Sequence, residues 1–349
     1  LLVLADVIEN KKAIFVSAPE INGVKPTIEQ LPEEVPDNIA CVVESSGSTG
    51  IPKRISISTA ALLHAARAGQ ERLGPLGQWL LALPIYFIAG QQVLIRSLLA
   101  DQQPVIMNTS LPFTAEAFLR SALLMKNPIR YTSLVPTQLA KLVAEAEKDT
   151  VMLDTLKSFR AILVGGQLTP EELYDRALGL DLKVVLSYGM TETAGGCVYD
   201  GIPLDGVRLK IAPDSRLLIS GKTLAEGQDD WIFTNDLAEL SPDGKLKIIG
   251  RADRVIISGG LKLSLERVEY LGSLLPGVSE IAAVALEDQT WGQRVGIAYV
   301  GSPEVADDIA NQLAHLLGPA GKPIRVIRVD KLPKLPTGKP DNRMVAELF

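Results

Sequence analysis

RAILVGGQLTPEELYDRALGLDLKVVLSYGMTET, residues 160–193, decides the fold. Residues 160–164 form a short apolar run of strand length, closed by Gly165-Gly166. Thr169, Pro170 and Glu172 then make a capping-box start with proline at the first helical position, so a helix follows. Residues 183–186 return to an apolar run that ends in a turn. Strand, helix, strand within about 30 residues predicts a parallel βαβ unit. The same alternation extends outward. Strands are predicted at 13–16 and 39–44, the second entering a Ser/Gly-rich loop. Helices are predicted at 59–73 with Ser58 as N-cap, at 114–125 and at 136–147. After Gly206 the pattern changes to short strands at 207–211, 216–220, 231–234, 237–240 and 246–249, the last two joined by a turn at Ser241-Pro242-Asp243-Gly244. Gly250-Arg251-Ala252-Asp253-Arg254 reads as a boundary. Beyond it lie helices at 265–275 (cap Ser264, stop Pro276) and 305–317, with strands at 281–286, 295–300 and 324–329. The expected fold is therefore an α/β large N-terminal domain over 1–252, a helix-covered, mostly parallel sheet plus a small β region. A small α+β C-terminal domain follows over 253–349.

Composition excludes several classes. Hydrophobic residues are 47% and charged residues 22% of 349 positions, which suits a folded globular chain rather than disorder or coiled coil. Lys plus Arg total 35 against 41 Asp plus Glu, a formal charge of -6, so nucleic acid is not an expected partner. Two cysteines, Cys41 and Cys197, and two histidines, His64 and His315, argue against a disulfide framework, a zinc cage and Ser-His chemistry. The longest apolar stretch, 79–90, contains Pro84 and is too short to span a bilayer. The N-terminus has no basic start and no initiator Met, and reads as trimmed rather than targeted. A cytoplasmic, reducing setting is the expectation.

Five motifs carry chemistry. SSGSTGIPK, 45–53, places small residues where backbone N–H groups approach a polyphosphate, with Lys53 adding a charge. A Walker loop needs glycine where Pro52 stands, so that reading fails; a surface turn is the other reading. SYGMTET, 187–193, offers Tyr188 as an aromatic face for a base and Thr191 and Glu192 as oxygen ligands for Mg²⁺; a plain helix start fits the same residues. TND, 234–236, at a strand end, offers a carboxylate for two ribose hydroxyls, or an Asx turn. GRADR, 250–254, followed by ISGG, pairs an arginine with a pivot, or is a solvated linker. LPKLPTGK, 332–339, puts Lys339 on a loop, where most lysines are only solvated.

Together and in this order the five resemble the adenylate-forming superfamily of acyl-CoA synthetases, luciferases and peptide-synthetase adenylation domains, over about nine tenths of the chain. ALPIYFIAGQQ, 82–92, and TSLVPTQL, 132–139, look most like the o-succinylbenzoate–CoA ligases of menaquinone synthesis. Two departures stand out. Members usually carry a further subdomain ahead of the Ser/Gly loop, whereas 44 residues precede Ser45, so the fold is expected to be shortened at its N-terminus. Phe87 stands where many relatives place a histidine.

The resemblance implies an ATP-dependent, AMP-forming acid–CoA ligase using ATP, Mg²⁺ and CoA, with a small-molecule acid as partner. A homodimer is the assembly it allows. It implies Lys339, Thr191 and Glu192 as catalytic, with Glu192 on the metal. Ser45, Ser46, Gly47, Ser48, Thr49, Gly50 and Lys53 would hold the β/γ-phosphates. Gly165, Gly166, Gln167, Tyr188 and Gly189 would border adenine, and Asp236 and Arg251 the ribose. Asp253 would be the hinge and Gly259-Gly260 would line the CoA channel. Gln91, Ser133, Thr137 and Gln138 would line the acid pocket; Arg96 is a further cation, on a helix expected at the surface. Two rival readings are a CoA ligase for another aryl or medium-chain acid, and a non-catalytic nucleotide-binding module.

Overall fold

In the computed structural model, residues 2–9, 12–17, 34–45, 53–334 and 340–349 are described. Ala161–Gly165 pairs in parallel with Arg130–Leu134 on one side and Val184–Met190 on the other, Val164 lying opposite both Leu134 and Leu186. Gln78–Leu81 and Val105–Ile106 extend the parallel part. Gly195–Tyr199 and Ile202–Pro203 add antiparallel strands at the other edge, making seven. The chain passes from 78–81 to 105–106 at the edge, then back across to 130–134, so the winding reverses between Gln78–Leu81 and Arg130–Leu134.

Right-handed crossovers then put the intervening helices on opposite faces. On one face Val93 of Ile88–Leu99 packs in a core with Trp79, Leu81, Tyr131, Ala161 and Leu163. On the other, Phe118, Leu139, Val143 and Leu173 pack with Leu80, Leu134, Ile162 and Val164. The period of two in these sets is the pleat of the sheet. Burial on both sides explains why residues 161–164 read as an unbroken apolar run.

A second sheet of three strands, Ile14–Phe15, Ile39–Ser45 and Lys53–Ser58, stands before the helix Thr59–Leu73, whose N-cap Ser58 accepts from Ala61 N as expected. Lys53–Ser58 has Ile55 and Ile57 facing the core and was not among the expected strands. A four-stranded antiparallel meander follows: Val207–Ile211, Arg216–Gly221, Ile232–Leu240 and Leu246–Arg251. The five-stranded C-terminal sheet comprises Val255–Ser258, Leu261–Ser264, Val278–Asp288, Gly292–Gly301 and Arg325–Arg328. Helices Leu265–Ser273 and Ala306–Leu317 accompany it. Both histidines lie in helices and both cysteines are buried and free.

Three local expectations are corrected. The helix after Gly166 is Glu171–Gly179 and starts at Pro170 with no side-chain cap, because Thr169 does not turn back onto it. Residues 232–234 and 237–240 are not two strands but parts of one, Ile232–Leu240, because Arg216–Gly221 pairs with it over 232–237 and Leu246–Arg251 over 236–240, so the ladder runs on through the expected break. Residues 187–190 continue the strand Val184–Met190, and only Thr191–Thr193 is helical, as a single 3₁₀ turn.

Candidate active site

The carboxyl ends of two neighbouring strands, Ala161–Gly165 and Val184–Met190, bring residues 165–167 and 187–190 to one edge of the large sheet. This is where open α/β sheets bind ligands. Gly165 sits opposite Ser187 in the register, and a Cβ on Gly165 would lie 2.3 Å from the Ser187 carbonyl oxygen. Only glycine permits that approach, and it opens the ledge on which Gly166 and Gln167 are exposed beside Tyr188 and Gly189.

Tyr188 Oη donates to Asp236 Oδ2 at 2.6 Å. Burial and the Asp236 carboxylate push the phenol far above its ordinary range, so it stays a donor. Asp236 is mid-strand, not at a strand end. Its N–H donates to Thr234 Oγ1, which in turn donates to the Leu217 carbonyl. Sheet pairing places Arg251 directly across from Asp236, with Nη1 3.5 Å from Oδ1. The guanidinium also grips Asp253 through Nε and Nη2, each at 2.9 Å. Tyr188, Asp236, Arg251 and Asp253, which lie in three separate motifs, therefore form one linked group.

The Thr191–Thr193 turn is fixed by Thr193, whose Oγ1 accepts from Met190 N and faces the Gly195 carbonyl. Half-buried Glu192 has no carboxylate partner among the described residues, though its carbonyl accepts from Ala225 N. Among the described residues no three His, Cys, Asp or Glu converge as a metal cage. Mg²⁺ commonly takes one or two carboxylates and completes its shell with substrate phosphates and water, so Glu192 fits that use.

Ser45 ends its strand paired with Lys53, so the loop between them joins two antiparallel strands. Ser46, Gly47, Ser48, Thr49 and Gly50 lie outside the described residues, as does Lys339. Gly259 and Gly260, at φ 57° and 82°, form the turn between Val255–Ser258 and Leu261–Ser264.

The acid-pocket candidates flank the winding reversal. Ser133, near the end of Arg130–Leu134, is buried. Gln138 closes the start of its helix by accepting from Val135 N and donates to the Ala82 carbonyl. Gln91 is buried and donates to the Ile85 carbonyl. Both amides thus brace the 82–85 segment. Thr137 is exposed.

Arg96 is not at a surface: it is 3% exposed. Its Nη2 donates to Tyr199 Oη at 2.8 Å, and its guanidinium lies 5.2 Å from the Trp79 ring centre. No carboxylate among the described residues pairs with it. This buried pair, the Arg267–Glu172 contact and the Lys334–Glu280 contact carried no sequence signal, since each depends on partners far away along the chain.

Residues 4–223 match the family of AMP-binding enzymes and 268–339 its C-terminal domain, and the chain belongs to that family. A Mycobacterium tuberculosis protein named "Probable 2-succinylbenzoate–CoA ligase" is 37% identical over 334 residues, spanning 91% of this chain and 86% of its own length. The Bacillus subtilis o-succinylbenzoate CoA synthetase (MenE), solved with the acyl-adenylate OSB-AMP, is 25% identical and aligns over 88% of this chain and 69% of its own, with a TM-score of 0.75. A double mutant of the same enzyme with the product analogue OSB-NCoA, at the same identity and coverage, gives 0.57.

Proposed function

We propose that this chain is an AMP-forming acid–CoA ligase that converts o-succinylbenzoate to o-succinylbenzoyl-CoA in menaquinone biosynthesis, with ATP, Mg²⁺ and CoA. The observation that carries the reading is the linked Tyr188–Asp236–Arg251 group at the carboxyl edge of the sheet, in a chain so similar along its length to a 2-succinylbenzoate–CoA ligase. A cytoplasmic setting, where ATP and CoA are at hand, goes with it; among the described residues no helix is long and apolar enough to cross a membrane.

Two steps follow. A carboxylate oxygen attacks the α-phosphorus, the bond to pyrophosphate breaks, and acyl-AMP forms. The CoA sulfur then attacks the acyl carbon, the thiol proton is lost, and AMP leaves. The first step needs positive charge around phosphorus and in-line placement. In this reading Lys339 supplies charge to the α-phosphate and carboxylate oxygens, and residues 45–53 cradle the β/γ-phosphates. Tyr188, Gly189 and Gly165–Gln167 border adenine, while Asp236 accepts from the ribose hydroxyls with Arg251 beside it. Glu192, with Thr191, would hold Mg²⁺, which would neutralise phosphate charge. Ser133, Thr137, Gln91 and Gln138 line the acid side.

The division at 252/253 goes with this mechanism: residues 253–349 close to deliver Lys339, then swing about Asp253 to bring Gly259-Gly260 toward the pantetheine. The higher TM-score to the acyl-adenylate complex than to the OSB-NCoA complex supports the first of those poses for this structure. The deciding test is AMP release with ATP, CoA and a panel of acids. Turnover with o-succinylbenzoate well above other aryl and medium-chain acids is expected. Preference for another acid would reassign the substrate, and ATP binding without turnover would leave a nucleotide-binding module.

A further inference from the structure

Residues 332–334 and 340–345 form a stem on the C-terminal sheet. Lys334 and Pro340 face each other across an antiparallel bridge, and Asp341 N donates to the Pro333 carbonyl at 2.9 Å. Leu332 and Val345, one on each arm, are buried in one cluster with Ala282, Val284 and Ala298 of the sheet. Asp341 caps the short helix Asn342–Ala346, fixing the second arm. Among the described residues the stem has one ionic tie to the sheet: Lys334 Nζ donates to Glu280 Oε1 at 2.6 Å. Glu280 stands at an irregularity in the pairing of Val278–Asp288 with Gly292–Gly301, where the register shifts between Val278 and Glu280. A bulge of this kind re-aims a side chain and recurs near functional sites.

We propose that Glu280 is a positioning residue for adenylation: by holding Lys334 it fixes the frame from which Lys339, bonded directly to Pro340, is presented to ATP. The inference rests on the assignment of Lys339 above. Glu280 touches no reacting atom. Its effect is on how often the lysine is in place, so it acts on the turnover of the first half-reaction and not on nucleotide binding. Apolar burial of Leu332 and Val345 holds the stem to the sheet without it, so the loss of Glu280 loosens the frame and leaves the fold intact.

The test measures both half-reactions separately. Glu280→Gln is expected to lower kcat of acid-dependent ATP–pyrophosphate exchange about three- to fivefold, the scale of one partly exposed ion pair. The KM for ATP and the rate of CoA transfer from preformed acyl-adenylate should stay unchanged. Glu280→Asp should recover part of the loss, and the exchanged pair Glu280→Lys with Lys334→Glu most of it. Equal losses in both half-reactions, an effect confined to KM, or no loss in either would overturn the positioning role. If the unaltered protein gives no exchange with any acid, the ligase reading and this inference fall together. If it exchanges and Glu280→Gln does too at full rate, this inference falls alone. Should Glu280→Gln prove poorly folded by thermal melting, the exchanged pair carries the decision.

Discussion

Tyr188 Oη donates to Asp236 Oδ2 at 2.6 Å, joining the seven-stranded sheet to the four-stranded meander. In the proposed role, a ribose hydroxyl arriving at Asp236 would meet a carboxylate already oriented by this donor and by Arg251. Tyr188→Phe keeps the ring and removes the donor. One hydrogen bond to a charged acceptor is worth about 1.5–3 kcal/mol, so KM for ATP should rise roughly ten- to a hundredfold, with kcat changed far less. Because burial first, and the adjacent carboxylate second, raise the phenol, the pH profile of the unaltered enzyme should show no tyrosine limb at its ordinary value near 10. Steady-state kinetics in ATP from pH 6 to 10.5 reads both outcomes.

The buried Arg96 makes a stability prediction. Its Nη2 has Tyr199 Oη as partner, and its Nε has none among the described residues. Tyr199→Phe would strip the remaining hydrogen bond from a desolvated cation, at a cost of about 1.5–3 kcal/mol. Urea unfolding measures it. Arg96→Met combined with Tyr199→Phe should be less destabilised than the tyrosine variant alone, because the stranded charge is gone. A double variant as unstable as the sum of the singles would show that the pair is not what the charge costs.

How much of this was legible beforehand depends on the range of the forces involved. Thr59–Leu73 and its Ser58 cap follow from neighbours in sequence, and the expected ends are the observed ones. Of the seven strands of the large sheet, the apolar runs announce Ala161–Gly165 and Val184–Met190; Gln78–Leu81 and Arg130–Leu134 carry polar residues and were not among the expected strands. The identities of Tyr188, Asp236 and Arg251 were legible as motif residues, but their junction was not, since 48 positions separate the first two. Asp236 was placed at a strand end because Thr-Asn-Asp carries a local turn signal; pairing with two neighbouring strands overrides it. Arg96 was expected outside because a charged side chain on a helix ordinarily points to water. Tyr199, 103 positions away, supplies the interior partner that no local pattern announces. The strand Lys53–Ser58 was missed although Ile55 and Ile57 alternate, because the preceding loop motif dominated the reading.

The two buried thiols make a pH prediction. Burial pushes Cys41 and Cys197 up from 9.0 to about 12. A raised folded value means the folded state holds its proton more tightly than the unfolded chain. The associated stability is complete below pH 9 and is lost as pH rises from 9 toward 12. Each thiol should add a slope of up to about 1.4 kcal/mol per pH unit in that window. Cys41→Ala and Cys197→Ala lower stability at all pH values through lost packing, yet each should flatten this alkaline slope. Unfolding free energies at pH 8, 9, 10 and 10.5 decide it, and parallel slopes for variant and parent would refute it.

Arg267 Nη2 lies 2.8 Å from Glu172 Oε1, linking the helix Leu265–Ser273 to the helix Glu171–Gly179. Both side chains are about half exposed, so the pair alone is worth at most about 1 kcal/mol. Its setting makes it more selective than that figure implies. Tyr270, three residues on, is buried among the same groups with no partner for its hydroxyl among the described residues, and Arg176 beside it is held by both oxygens of Glu147. Glu172→Arg would set a third cation against Arg176 and Arg267, so it opposes this contact rather than merely removing it. If residues 253–349 must leave this position for the second half-reaction, the substitution should slow acid-dependent ATP–pyrophosphate exchange about three- to tenfold. CoA transfer from preformed acyl-adenylate should hold its rate or gain, because the competing pose has been weakened. Adding Arg267→Glu restores the attraction with reversed polarity and should restore the exchange. A fall of equal size in both half-reactions would mean that the contact serves both poses, and the swing about Asp253 would need a different pair of faces.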